Sequence, residues 1–117
     1  MESNNSKQRP MKNKLTPHID YYSNGNVKVK GQKNSIGQME GIWEVFFKNG
    51  NIRRRTPYVG GEKDGIVEEF YEDGKIHWRI PFKGGKEDGI VEWFHENGNI
   101  IKTTLWKDGE LIEETKH

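Results

Sequence analysis

The chain has 117 residues, enough for one domain, with a formal net charge of +1, 32% charged residues and 31% hydrophobic residues. It contains no cysteine, which excludes disulfides and thiolate metal sites, and its near-neutral charge argues against bulk nucleic-acid binding. No apolar run approaches the length of a membrane-spanning helix, and the sparse apolar content suits a thin, open architecture stabilised by a few large aromatic side chains.

Residues 1–17, MESNNSKQRPMKNKLTP, are polar, basic and without period, so a disordered solubilising tail is expected there, carrying Lys7, Arg9, Lys12 and Lys14. From residue 18 the chain repeats itself. Four units fall at about 18–41, 42–65, 66–89 and 90–113, followed by a short tail over 114–117. Gly41, Gly65 and Gly89 lie 24 residues apart, as do Gly50, Gly74 and Gly98. The first copy is more divergent and has one extra residue before Gly41.

Each unit reads as a β-hairpin. Asn24-Gly25, Asn49-Gly50, Asp73-Gly74 and Asn97-Gly98 suit two-residue turns with positive φ at both central positions. That register sets Glu44 opposite Arg55 and Glu68 opposite Arg79, whereas Glu92 faces Thr103. Ile42, Ile66 and Ile90 share a face with these glutamates and with Phe46, Phe70 and Phe94. Together with Ile52/Ile76/Ile100 and Tyr58/Phe82/Trp106, these columns are the expected stacked core. Pro57 and Pro81 mark a bend or an end of regular pairing, because proline cannot donate to a ladder. The segments 60–65 and 84–89 are glycine-rich. They lack a Gly-Lys-Ser/Thr ending and a following helix, so they read as return turns and not as phosphate cradles. Leu111 and Ile112 suit a last strand that caps the array. The expected fold is all-β: tandem hairpins forming an elongated, twisted, open antiparallel sheet.

The segments GIWEVFFKNGNI, GIVEEFYEDGKI and GIVEWFHENGNI resemble the MORN-repeat variant of bacterial proteins, and in particular are similar to the YwqK-like antitoxin family. The resemblance covers about residues 18 to 113. It implies successive hairpins in one sheet and a role in binding another protein, often a toxin.

No catalytic constellation emerges. His18, His77, His95 and His117 do not recur at one repeat position, and the neighbours Glu68 and Glu69 point to opposite faces of a strand. No enzymatic activity, cofactor or metal is expected. Trp43, Trp78 and Trp93 fall on the face opposite the Ile/Phe columns, with Val45, Val67, Val91 and aromatics such as Tyr71. A single-layer sheet has no second layer to bury both faces, so this aromatic face is a candidate contact surface. Arg53 and Arg54 are the concentrated charge, on opposite faces by simple alternation. The candidate partner-binding residues are therefore Trp43, Arg53, Arg54, Tyr71, Trp78 and Trp93. The expected partner is a protein, either a toxin or a defence enzyme, met in the cytoplasm. An alternative is a phage or mobile-element protein that inhibits a bacterial immune enzyme or sequesters its nucleotide signal. A homodimer through a sheet edge or the aromatic face is a third option, while the charge balance disfavours nucleic acid and membrane.

Overall fold

The computed structural model describes residues 14–117; the tail expected over 1–17 lies outside the described residues as far as residue 13. The chain forms β1 (Thr16–Tyr21), β2 (Val27–Lys33), β3 (Met39–Phe46), β4 (Ile52–Val59), β5 (Glu62–Lys63), β6 (Gly65–Phe70), β7 (Ile76–Lys83), β8 (Lys86–Glu87), β9 (Gly89–Phe94), β10 (Ile100–Lys107) and β11 (Glu110–Lys116). All belong to one antiparallel sheet in the order β1-β2-β3-β4-β6-β7-β9-β10-β11, with β5 and β8 as short extensions beside β4 and β7. Thr16 and Pro17 thus belong to the first strand, and residues 114–116 to the last, so both tails are shorter than expected. The sheet measures 64 × 41 × 17 Å with a radius of gyration of 18.1 Å. A compact domain of this length would have a radius of about 13 Å. The thickness is that of a single layer.

Turn chemistry differs from the expectation in an instructive way. At Asn49-Gly50 only the glycine has positive φ (95°), and the same holds at Gly25, Gly74 and Gly98. The Gly50 N–H donates to the Phe47 carbonyl at 3.0 Å, and the Phe47 N–H to the Asn51 carbonyl at 2.8 Å. This is a three-residue type I turn closed by a left-handed glycine, with the Asn49 side-chain oxygen accepting from the Asn51 N–H at 2.9 Å. Two-residue turns with both central φ positive occur instead at Gly60-Gly61, Gly84-Gly85 and Asp108-Gly109. The extra residue of the first repeat has the same origin: its return runs through Asn34 to Gln38 as another three-residue turn, with the Gly37 N–H on the Asn34 carbonyl.

The longer turns do not disturb the predicted register, because a bulge absorbs the additional residue. Phe46 pairs with Ile52 but Val45 pairs with Arg54, leaving Arg53 unopposed, and Glu44 then meets Arg55. The same slip leaves His77 unopposed before Glu68 meets Arg79.

Pro57 and Pro81 set the second irregularity. The Pro57 carbonyl accepts the Asp64 N–H at 3.0 Å, so the N–H that proline lacks would have pointed to the same neighbour. Between β4 and β6 the pairing is lost there: Arg55 meets Glu68, but the next pair is Tyr58 with Lys63, two residues against four. Gly65 (φ +122°) turns the chain at this break, and a Cβ on it would stand 2.8 Å from Pro57 Cγ. Gly89 and Pro81 repeat the arrangement. In the fourth repeat Leu105 stands in the place of proline and pairs directly with Glu113, where the earlier units have glycine. The ladder there runs through with only a one-residue slip.

The expected core is inverted at the isoleucines. Ile42, Ile66 and Ile90 are 50%, 54% and 57% exposed, while Trp43, Val67 and Val91 on the other face are 6%, 2% and 2% exposed. Of the phenylalanine column only Phe94 is buried. Phe94, on the face of Ile90, is as buried as Trp43, with the Arg79 guanidinium 5.4 Å from its ring centre, so neither face is wholly exposed. We call these the tryptophan face and the isoleucine face.

Successive repeats are tied along the turn side. The Tyr22 hydroxyl donates to the Phe46 carbonyl at 2.6 Å, and Asn24 and Asn26 side-chain amides donate to the Lys48 carbonyl. Asn49 and Asn51 both donate to the Glu72 carbonyl, and the Tyr71 hydroxyl to the Phe94 carbonyl at 2.7 Å. Phe47 occupies the tyrosine position but has no hydroxyl. Phe47→Tyr should therefore stabilise the array by about 1 kcal/mol through a bond to the Phe70 carbonyl, and Tyr71→Phe should cost about as much. Urea unfolding followed by circular dichroism measures both; equal midpoints for Phe47→Tyr and the parent would show that the ring is misplaced for the bond.

Candidate protein-binding face

The strand register assembles the tryptophan face from rows that cross the sheet. One row runs Trp43, Thr56, then Val67, Ile80, then Val91, Thr104. It is the buried spine of the molecule, and Thr56 and Thr104 are each only 5% exposed. Trp106 caps its end, donating its indole N–H to Thr104 Oγ1 at 2.7 Å.

Trp43 belongs to this spine and not to a contact surface, which corrects its assignment as a partner-binding residue. Its indole lies on Gly31 of β2, where any Cβ would collide with the ring. Its N–H donates to the Gln32 carbonyl at 3.0 Å, and the His18 ring covers it at 5.3 Å between centroids. Trp43 is the only indole at its repeat position and so reads as a variable surface residue; the missing signal is Gly31, twelve residues earlier in the preceding unit. Gly31→Ala should destabilise the fold by about 2 kcal/mol, since overpacking forces the indole out of its seat. A urea midpoint unchanged from the parent would contradict that packing.

The adjacent row is the accessible one. Val45, Arg54, Glu69, Trp78, Trp93 and Lys102 follow one another strand by strand. Arg54 Nη2 donates to Glu69 Oε2 at 3.0 Å, and its guanidinium lies 5.9 Å from the centre of the Trp78 ring. Lys102 Nζ stands 4.7 Å over Trp93. The two tryptophans are direct cross-strand partners between β7 and β9 and are half-buried. A cation thus lies over each of the two paired indoles, with Glu69 between Arg54 and Trp78 in the row.

Arg53 joins this row because of the bulge. Simple alternation would send Arg53 and Arg54 to opposite faces, but the unopposed Arg53 turns its guanidinium over Phe47 at 5.7 Å. It lines one shallow depression with Phe47, Glu69, Tyr71 and His77. The pattern repeats with the bulges: Lys28 lies 5.8 Å over Tyr22, and His77 stacks on Tyr71 at 4.3 Å. Of the six proposed residues, then, Arg54, Trp78 and Trp93 share one row and Arg53 and Tyr71 line the depression beside it, while Trp43 is buried in the spine and meets the row only where it lines a second depression with Arg54. Lys102 and Glu69 join the row, and neither is distinctive by type; only the row makes them so.

Glu69, Glu72 and Glu96 also line the depression beside Arg53. Three carboxylates so placed oppose a phosphate-bearing ligand. Among the described residues no three His, Asp or Glu side chains gather in a way that would hold a metal ion.

Comparison with known proteins gives one result. The sequence profile of the family described as MORN repeat variant matches three consecutive segments, residues 39–59, 63–83 and 87–108. No curated protein and no solved structure matches the chain.

Proposed function

The chain belongs to the MORN-repeat variant family, and from that premise we propose that it is a non-catalytic scaffold that occludes a partner protein. MORN repeats as a class mediate protein or membrane binding. The finer reading is an antitoxin or inhibitor of the YwqK-like kind, acting in the cytoplasm by covering the working surface of a toxin. The observation that carries it is the convergence of the non-repeating residues. Arg53, Arg54, Trp78, Trp93 and Lys102 differ from their counterparts in other repeats, yet the fold lines them along one accessible row. Arg and Trp are the side chains that dominate binding energies at interface centres. The cations over Trp78 and Trp93 and the carboxylates Glu69, Glu72 and Glu96 make a mixed-charge surface that selects a partner of complementary pattern, and balanced net charge disfavours a membrane surface.

The test is co-expression with the product of the adjacent gene, followed by purification of the complex and measurement of growth rescue. The parent chain should form a stoichiometric complex. The double substitution Arg53→Glu/Arg54→Glu should weaken it by at least about a hundredfold, and Trp78→Ala by at least about tenfold. Both variants should keep the parent's circular dichroism, since these side chains are outside the buried spine. A complex of undiminished affinity in both variants would remove the binding site from this face.

A further inference from the structure

The isoleucine face carries a second pattern that the aromatic row does not use. Crossing the sheet on this side, Lys30, Glu44, Arg55, Glu68, Arg79 and Glu92 are consecutive cross-strand partners. Their signs alternate strictly from β2 to β9. Arg55 bridges Glu44 at 3.5 Å and Glu68 at 3.2 Å, and Arg79 lies 3.6 Å from Glu92. Beside this charged row runs an apolar one, Ile42, Pro57, Ile66, Pro81, Ile90 and Leu105, the last 37% exposed. Three half-exposed isoleucines at the same position of consecutive repeats leave a stripe of the kind that soluble chains cover.

We propose that this stripe is covered by a second copy of the chain, packed face to face about a two-fold axis parallel to the strands and running between β4 and β6. The argument is the sign pattern. Such an axis reverses strand order, so Arg55 of one copy faces Glu68 of the other, Glu44 faces Arg79, and Lys30 faces Glu92. Every charge in the row meets its opposite, twice over. An axis along any single strand would instead stack like on like, which repels. The same operation sets Pro57 on Ile66 and Ile42 on Pro81, apolar on apolar. The eight strands from β1 to β10, spaced about 4.8 Å apart, give a strip roughly 34 Å long. Two such strips bury on the order of 1,000 Å², the low end for specific contacts, so the dimer forms reversibly with concentration. The tryptophan faces of both copies remain outward, and the dimer would present two partner-binding rows.

Sedimentation equilibrium of the full chain from low micromolar to near-millimolar concentration tests the association. The expected result is a monomer–dimer equilibrium; a monomer at every concentration overturns the proposal. Ile66→Lys, at a position already half exposed, should weaken dimerisation by at least about tenfold, because the two-fold axis counts each substitution twice. Two charge variants test whether the charged row forms the contact. Arg55→Glu/Arg79→Glu makes the row from β3 to β9 wholly acidic, and Glu44→Arg/Glu68→Arg makes the row from β2 to β7 wholly basic. Each should be monomeric alone, and an equimolar mixture should form a heterodimer. Folded variants that fail to associate when mixed overturn the proposed axis. Should either variant unfold, Ile66→Lys decides. A dimer that survives Ile66→Lys but is lost in Trp78→Ala places self-association on the tryptophan face and overturns the proposal, whatever becomes of the partner complex.

Discussion

A proline inside a sheet withdraws one donor from the ladder, and Pro57 and Pro81 withdraw it on the side that faces the next repeat. Regular pairing cannot continue past that point, so the facing strand loops out two residues and re-enters at β5 or β8. The loop needs a glycine both for its positive φ and for the space against the proline ring. The defect stands at Pro57 and Pro81 and is missing from the fourth repeat, where Leu105 pairs directly with Glu113. Next to each proline the strand turns a residue of the buried row, Thr56 or Ile80, toward Trp43 or Val67 on the other face. The side chains of this row form the spine, and the row beside it is left as surface.

Much of the fold was legible because hairpin repeats write their periodicity plainly. The 24-residue register, the antiparallel sheet, the Glu44–Arg55 and Glu68–Arg79 pairs and the final strand through Leu111 all follow from spacing. The register holds because two departures from an ideal hairpin cancel. A turn one residue longer than the Asn-Gly dipeptide suggests is offset by a bulge one residue on. Such compensation cannot be seen from local preferences, since Arg53 and His77 share no chemistry that marks a bulge. The inverted core has a different cause. Alternation tells which residues share a face but is silent on which face is the better covered, and Ile42 is as apolar as Val67. The site was partly legible: five of its residues were named, but the row that unites them depends on the bulge.

The two faces differ in how their charges are arranged. On the tryptophan face Arg53, Arg54 and Lys102 lie over rings, and Arg54 also pairs with Glu69. On the isoleucine face the charges neutralise one another within the sheet. Exposed pairs of that kind contribute little to stability, about 1 kcal/mol at most each. Their value lies in discrimination between orientations, since an alternating row accepts its own reverse and rejects its own translation by one strand.

The bonds between neighbouring turns are not equal along the chain. The first repeat grips the second through a tyrosine hydroxyl and two asparagine amides, the second grips the third through two amides, and the third grips the fourth through one hydroxyl. Asp73 stands where asparagine would donate, and a carboxylate has nothing to give. In a linear array each seam opens almost independently of the others. The protein is therefore mechanically polarised: it comes apart from its C-terminal seam inward, like a zip with one end left unlatched. Trp93 and Lys102 sit on the last unit, beyond the weakest seam, so this end of the binding row yields first.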